Sequence, residues 1–326
     1  MAAQFRLLSA RSTSTAAALP SSSRCAIVRS AFAARSLSYA APAKKRFGQH
    51  FLNCGASVAR IVELAGICAD SARVVEIGPG RGVLTRALLE TGADVRAVEV
   101  DRDLAAELRA DLPALGLIEG DALDVDWEAL APRAQAPWTV CANLPYNVAT
   151  PLVTRMVTMR PRLDRLVLMF QREVAERLVA QPNSKAYGSL SIHIQTWCDA
   201  RIAFHLPPSA FSPPPKVESS VVVLDLREEP RHGACTPHFF EKAVRAGFHQ
   251  RRKVLPNALA VAFPKPLVRD VLKSAGHERK RAQELSVEQW AALAAKLEVA
   301  MIAAAAADAD AMVSADAGAR AATGGE

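Results

Sequence analysis

The sequence predicts an α/β fold, a Rossmann-like parallel sheet with a smaller all-helical C-terminal domain, and three observations carry that expectation. Short apolar runs alternate with segments of helical periodicity between residues 73 and 170. The run at 73–77 leads directly into the glycine-rich turn Gly78-Pro79-Gly80-Arg81-Gly82. Beyond Pro237 only helical patterns follow. Strands that alternate with helices build a parallel sheet covered on both faces, and such sheets bind ligands beyond the carboxyl ends of their strands.

Taken in order, 73–77 is a strand, and after the glycines residues 83–90 carry apolar side chains at helical spacing. Residues 94–100 form a second strand, and Asp101 caps a helix that runs to about residue 110. A third strand at 115–118 ends at Gly120-Asp121, a fourth at 138–142 ends at Asn143, and 165–170 is a fifth buried run. Residues 217–226 alternate well enough for a late antiparallel strand, paired with 201–206. Helices at 237–247, 253–262, 266–275 and 287–297 follow a polar, Pro-containing junction at 227–231. The expected organisation is a disordered targeting presequence at 1–43, a ligand-binding α/β domain at 44–230 and a helical domain at 231–300. Residues 301–326, rich in Ala, Gly and Asp, read as a low-complexity, disordered tail.

Of the 326 residues half are apolar, enough for a sizeable core in a soluble globular protein. No run approaches eighteen uninterrupted apolar residues, so no membrane span is expected, and Asp308 and Asp310 punctuate the alanine tract after Met301. The net charge of +7 is uneven: residues 1–43 contribute +5, with five arginines and no acid, and residues 301–326 contribute −3. An acid-free leader rich in Arg, Ser and Ala has the composition of an organelle-import presequence. Its evenly spread arginines favour the mitochondrion over the plastid, and residues 35–38 resemble a matrix-processing site. The six cysteines form no C-x-x-C pair, which argues against a zinc ribbon or a disulfide framework, and no metal site is expected. Neither H-E-x-x-H nor G-x-x-x-x-G-K is present.

The chemistry is concentrated at strand ends. Glycine removes the Cβ that would keep a ligand from the backbone, so the turn at Gly78 and Gly80 suits a nucleotide-like cofactor. Glu99, 21 residues after Gly78, is placed to accept both ribose hydroxyls of an adenosine, and Asp121 to accept from its adenine amine. A dinucleotide would fit these features equally well. The fourth strand decides between the two, because Asn143-Leu144-Pro145-Tyr146 provides no proton-transfer residue but two neutral acceptors and an aromatic face. An adenine amine is a weak nucleophile whose lone pair is delocalised into the ring. Acceptors on both N–H bonds, from the Asn143 side chain and the Leu144 carbonyl, concentrate that lone pair toward a methyl donor. Pro145 fixes the turn and Tyr146 stacks on the base, which must leave its own stack to enter. Positioning for in-line attack at about 3 Å then supplies most of the rate. S-adenosylmethionine is the expected cofactor, and adenine N-methylation the expected reaction.

Six segments share a specific resemblance: residues 44–52, 76–82, 143–146, 171–174, 183–188 and 211–217 are similar to the KsgA/Dim family of ribosomal RNA adenine dimethyltransferases. The similarity spans roughly residues 44–298 in unbroken order. It implies the class I methyltransferase sheet and the transfer of two methyl groups to N6 of each of two adjacent adenosines. These lie in a hairpin loop near the 3′ end of small-subunit ribosomal RNA, within a pre-ribosomal particle that the enzyme approaches as a monomer. By this resemblance the cofactor contacts fall on His50, Leu52, Gly78, Glu99, Asp121 and Asn143. Relatives often carry Asn where this chain has His50, a change that a backbone contact survives. The resemblance also suggests Phe211, just before three prolines, as a second stacking face opposite Tyr146. Lys185 and Tyr187 lie in a polar turn that the family shares, where a structural or substrate-shaping role is expected.

For RNA phosphates the candidate clusters are Lys44-Lys45-Arg46, residues 160–165, Arg245 with Arg251-Arg252-Lys253, and 279–281. Arg251, Arg252 and Lys253, at the start of a helix, are the foremost of these. Three rival readings stand beside the main one: a large-subunit ribosomal RNA methyltransferase, a mitochondrial transcription-accessory protein that binds nucleic acid without catalysis, and a DNA adenine methyltransferase.

Overall fold

The computed structural model describes residues 43–44, 47–67 and 72–323, with side-chain surroundings to residue 308. The presequence expectation for 1–43 therefore lies, Ala43 apart, outside the described residues.

A two-residue strand β1 (Phe51–Leu52) and helix α1 (Gly55–Ala65) precede the main sheet. Then come β2 (Arg73–Ile77), α2 (Val83–Leu89), β3 (Asp94–Glu99), α3 (Arg102–Asp111), β4 (Gly116–Glu119), the short α4 (Trp127–Leu130), β5 (Trp138–Asn143) and α5 (Tyr146–Met156). The alternation continues through β6 (Leu163–Gln171), α6 (Arg172–Val179), α7 (Ser189–Trp197), β7 (Cys198–Leu206), β8 (Phe211–Ser212) and β9 (Ser219–Leu226). Seven strands form one sheet in the order β4-β3-β2-β5-β6-β9-β7, while β1 pairs with β8 in a separate ribbon. Strands β2 to β6 are mutually parallel, and β9 lies antiparallel between β6 and β7. The chain order reverses beside β2, which has β3 on one side and β5 on the other, so a crevice opens at their carboxyl ends. This is the Rossmann-like architecture expected of class I methyltransferases.

Period-two alternation sends β2 side chains to two cores. Val75, with Val140, Leu152, Leu166 and Phe170, packs on one face, and Val74, with Val58, Leu88, Val95 and Val167, packs on the other. Strand β9 departs from the expected alternation. Residues 221–224 are a continuous apolar run, buried throughout, because both faces of this interior strand are covered.

After residue 231 the chain forms α8 (Pro237–His249), α9 (Leu255–Leu259), α10 (Lys265–Ala275) and α11 (Val287–Thr323). Their shared core includes Phe240, Leu259, Leu272, Trp290 and Leu297, and it draws in Ala180, Tyr187 and Ile192 from the preceding domain. Tyr187 is fully buried there and its hydroxyl donates to the Leu285 carbonyl at 2.9 Å, which makes its role structural. Gly247 lets α8 approach α11 closely: a Cβ at that position would fall 2.3 Å from Trp290 Cη2.

The disordered tail expected at 301–326 is corrected as far as Thr323, residues 324–326 lying outside the described residues. Helix α11 continues through Thr323, because alanine has the highest intrinsic helix propensity and the tract extends a helix already nucleated on the core. Residues 302–308 of this extension are exposed. Residues Val287–Asp308 also have the length and apolar composition of a membrane span, but Trp290, Leu293, Ala294 and Leu297 are committed to the helical core.

Candidate active site

A cavity of about 220 Å³ opens at the carboxyl ends of β2, β3 and β5, and it is lined by Gly78, Gly80, Glu99, Asp121, Asn143 and Tyr146, with His50 and Leu52 from the N-terminal segment. Topology brings them together: Gly78 and Gly80 follow β2, Glu99 ends β3, Asp121 follows β4 and Asn143 ends β5, while His50 and Leu52 come from the segment around β1.

The turn after β2 holds Gly78, Gly80 and Gly82 at φ of +65°, +57° and +72°, a region that side chains with a Cβ disfavour. At Gly80 a Cβ would also fall 3.0 Å from the Phe51 ring, whereas at Gly78 it would meet no atom of the described residues within 4 Å. Glu99 is 4% exposed; its Oε2 accepts from Gly80 N at 3.0 Å and its Oε1 from Asp101 N at 2.9 Å. Burial raises its pKa, against the pull of those backbone N–H groups. Each oxygen keeps a further lone pair for a ribose hydroxyl. Asp121 is exposed, with Oδ1 accepting from Leu123 N at 2.8 Å.

Asn143 ends β5, and its Nδ2 donates to the His50 carbonyl at 2.8 Å. That bond fixes which end of the planar amide donates and leaves Oδ1 as the acceptor. Leu144 buries its side chain, Pro145 caps α5, and Tyr146 opens the helix. The Tyr146 hydroxyl shares a hydrogen bond of 2.7 Å with Ser219 Oγ, and burial pushes the phenol's pKa up.

Glu76 is a site residue that the sequence analysis placed in the family-like 76–82 segment without giving it a role of its own. It lines the cavity, is 2% exposed and, among the described residues, has no hydrogen-bond partner for Oε2. Burial, with the Glu99 charge added, raises its pKa from the ordinary 4.5 to about 8. The available signal was an acid in an otherwise apolar strand immediately before the glycine turn. The orphaned oxygen, the open glycine cradle and the acceptors on Glu99 and Asp121 together fit a cofactor with an adenosine at one end and an ammonium group at the other.

Several expectations are corrected. Phe211 pairs through β8 with Leu52, is 3% exposed and packs among core residues rather than lining the cavity, so it is not a face opposite Tyr146. Lys44 places Nζ 2.6 Å from Asp101 and 2.5 Å from Asp103, which makes it a strut rather than a free phosphate ligand. Although burial opposes it, the bonds from Lys44 and Gln49 hold Asp101 below the usual carboxylate range. Arg251 donates from Nε to Gln283 Oε1 and from Nη2 to the Lys185 carbonyl, both at 2.8 Å, so it secures the 183–188 turn. Arg252 and Lys253 are exposed, in a turn before α9 rather than at a helix start. Lys45 and Arg46 lie outside the described residues. In the 160–165 cluster, Arg160, Arg162 and Arg165 pair with Glu228, Glu128 and Asp225.

Residues 40–298 match the family model described as ribosomal RNA adenine dimethylase. The chain is 45% identical over 254 residues to the ribosomal RNA small subunit methyltransferase A of Magnetococcus marinus, covering 77% of this chain and 90% of that protein. Identity to the protein of the same name from a Ruegeria species is 46% over 265 residues, covering 78% and 92%. Among solved structures it is similar to a dimethyladenosine transferase from Plasmodium falciparum, with a TM-score of 0.65, 27% identity, and coverage of 76% of this chain and 96% of that one. The 23S rRNA methyltransferase ErmE shares the fold at a TM-score of 0.59 and 24% identity, covering 76% and 99%.

Proposed function

Because the chain belongs to the ribosomal RNA adenine dimethylase family, we propose that it dimethylates N6 of two adjacent adenosines in the hairpin loop near the 3′ end of small-subunit ribosomal RNA. The observation that carries this reading is the Asn143 amide, locked by the His50 carbonyl beside Tyr146 in the cavity that Glu99 also lines. High identity to small-subunit enzymes favours that substrate, whereas the likeness to ErmE concerns the fold alone.

Gly78, Gly80, Glu99, Asp121 and the backbone around His50 and Leu52 would hold S-adenosylmethionine, which would supply an electrophilic methyl group on a sulfonium. The chain's own residues do the rest. Tyr146 offers its face to the extruded base, and Asn143 Oδ1 with the Leu144 carbonyl accepts the two amine hydrogens. So held, the nitrogen lone pair is aimed in line at the methyl group that the bound cofactor would supply. The methylated nitrogen, briefly cationic, sheds a proton to solvent, so no strong base is required. After the first transfer one N–H remains, and a single acceptor orients it for the second.

The substrate is RNA within a pre-ribosomal particle, the enzyme acts as a monomer, and the compartment is the mitochondrion, on the strength of the acid-free, arginine-bearing leader. Dimethylation blocks the Watson–Crick edge, so primer extension stops at the modified pair. In cells lacking the gene, the stop should vanish from mitochondrial small-subunit RNA and persist in the cytosolic one. A stop that persists in the mitochondrial RNA would refute the assignment.

A further inference from the structure

Helix α5 is a wall between two cavities. Its Val148 and Leu152 line the cofactor site, whereas Thr150 and Thr154 line a second cavity, of about 620 Å³, bounded by α7 and α8. That volume lies within the range of about 300–1,000 Å³ typical of ligand sites. Thr150 stands one helical turn beyond Tyr146, so a strand that delivers one base to the start of α5 has this groove within reach of its next nucleotides.

The lining is rich in donors. Arg245 of α8 is exposed and, unlike Arg160, Arg162 and Arg165, forms no ion pair among the described residues. Thr150 and Ser189 add hydroxyls, and Arg155 adds a second cation, one of whose nitrogens donates to the Leu123 carbonyl. Glu241 is the one acid in the lining, and it is already engaged: its Oε1 lies 3.2 Å from His193 Nδ1, while His193 Nε2 donates to the Thr154 carbonyl at 3.1 Å. His232 keeps Nδ1 buried with no hydrogen-bond partner among the described residues. Its ring stands across that of Trp197, centroids 5.5 Å apart and planes at 63°, which holds the half-buried indole in place on the cavity wall. Free cationic and hydroxyl donors suit a phosphate, and a fixed aromatic ring suits any base, since every base has a π-face. We propose that this cavity is a second RNA site, which receives a single-stranded nucleotide flanking the target, with its phosphate at Arg245 and its base on Trp197. This inference rests on the reading that the chain methylates RNA.

Trp127, Trp138 and Trp290 are buried, so of the four tryptophans Trp197 is the one whose emission reports this cavity. In the full chain, with S-adenosylhomocysteine filling the cofactor site, hexauridylate should quench that emission. Trp197→Phe should lose the signal yet still bind the fluorescein-labelled oligomer, read by anisotropy. Arg245→Glu should weaken the oligomer at least about tenfold and raise the KM for immature small subunits in parallel, whereas Arg245→Lys should stay within about threefold. Both Arg245 variants should keep the parent's dissociation constant for S-adenosylmethionine, which reports that they are folded. Absence of quenching, or an oligomer affinity that Arg245→Glu leaves unchanged, would overturn the site. Uridine monophosphate bound as tightly as the oligomer would assign the cavity to free nucleotides and overturn the strand role. A parent enzyme that binds the oligomer at Trp197 yet transfers no methyl group to subunit RNA would instead overturn the functional reading and leave the site standing.

Discussion

Glu76 and Glu99 face the same cavity, and their surroundings treat them differently. Glu99 receives two backbone N–H groups, so Glu99→Ala removes a fixing point of the glycine turn together with the proposed ribose acceptor. It should weaken S-adenosylmethionine binding at least tenfold by calorimetry, the scale of lost hydrogen bonds to a charged group. Among the described residues Glu76 has no partner for Oε2, and burial raises its pKa from the ordinary 4.5 to about 8. A carboxyl raised on folding contributes stability that is complete below about pH 4.5 and is lost as pH rises through about 8. Glu76→Gln mimics the neutral form, so its melting temperature should fall less than the parent's between pH 5 and pH 9; parallel profiles would contradict this. At this scale the sequence was partly legible. Glu99 and Asp121 announce themselves by their spacing from the glycines. Phe211 does not, because a phenylalanine before prolines reads alike whether it faces a slot or a core. In Arg251-Arg252-Lys253 nothing marks the first residue as the one that turns inward to Gln283.

Elements were more legible than side-chain directions, since an alternation of apolar runs and helical periods survives errors at each boundary. What composition hid was the end of α11, where an alanine tract reads as low complexity although alanine favours helix. Because residues 302–308 are exposed, a chain ending at Met301 should melt within about 2 °C of the parent, and a larger loss would mean that the extension packs on the domain. Gly247 makes the opposite case. Trp290 is fully buried, with Nε1 donating to the Ala282 carbonyl at 3.1 Å, and cannot yield to a new methyl group. Gly247→Ala should cost about 1–3 kcal/mol in denaturant unfolding, and an unchanged midpoint would show that α8 and α11 are free to separate.

Across the whole molecule, a basic stretch in the sequence is a weaker guide to RNA binding than the charges left exposed after folding. Lys44 and Arg251 serve as internal struts, while Arg252 and Lys253 remain at the surface. Replacing Arg252 and Lys253 with alanine should weaken RNA association and lower the salt slope by roughly one unit per phosphate contact removed; equal affinity and slope would move the binding face elsewhere. The central claim, that Asn143 and Leu144 hold an adenine amine for transfer beside Tyr146, is tested most directly by nucleoside mass spectrometry of small-subunit RNA after incubation with S-adenosylmethionine. The parent should yield N6,N6-dimethyladenosine, and Asn143→Ala should slow its formation at least a hundredfold while still binding the cofactor. Dimethyladenosine formed by Asn143→Ala at the parent rate would contradict it.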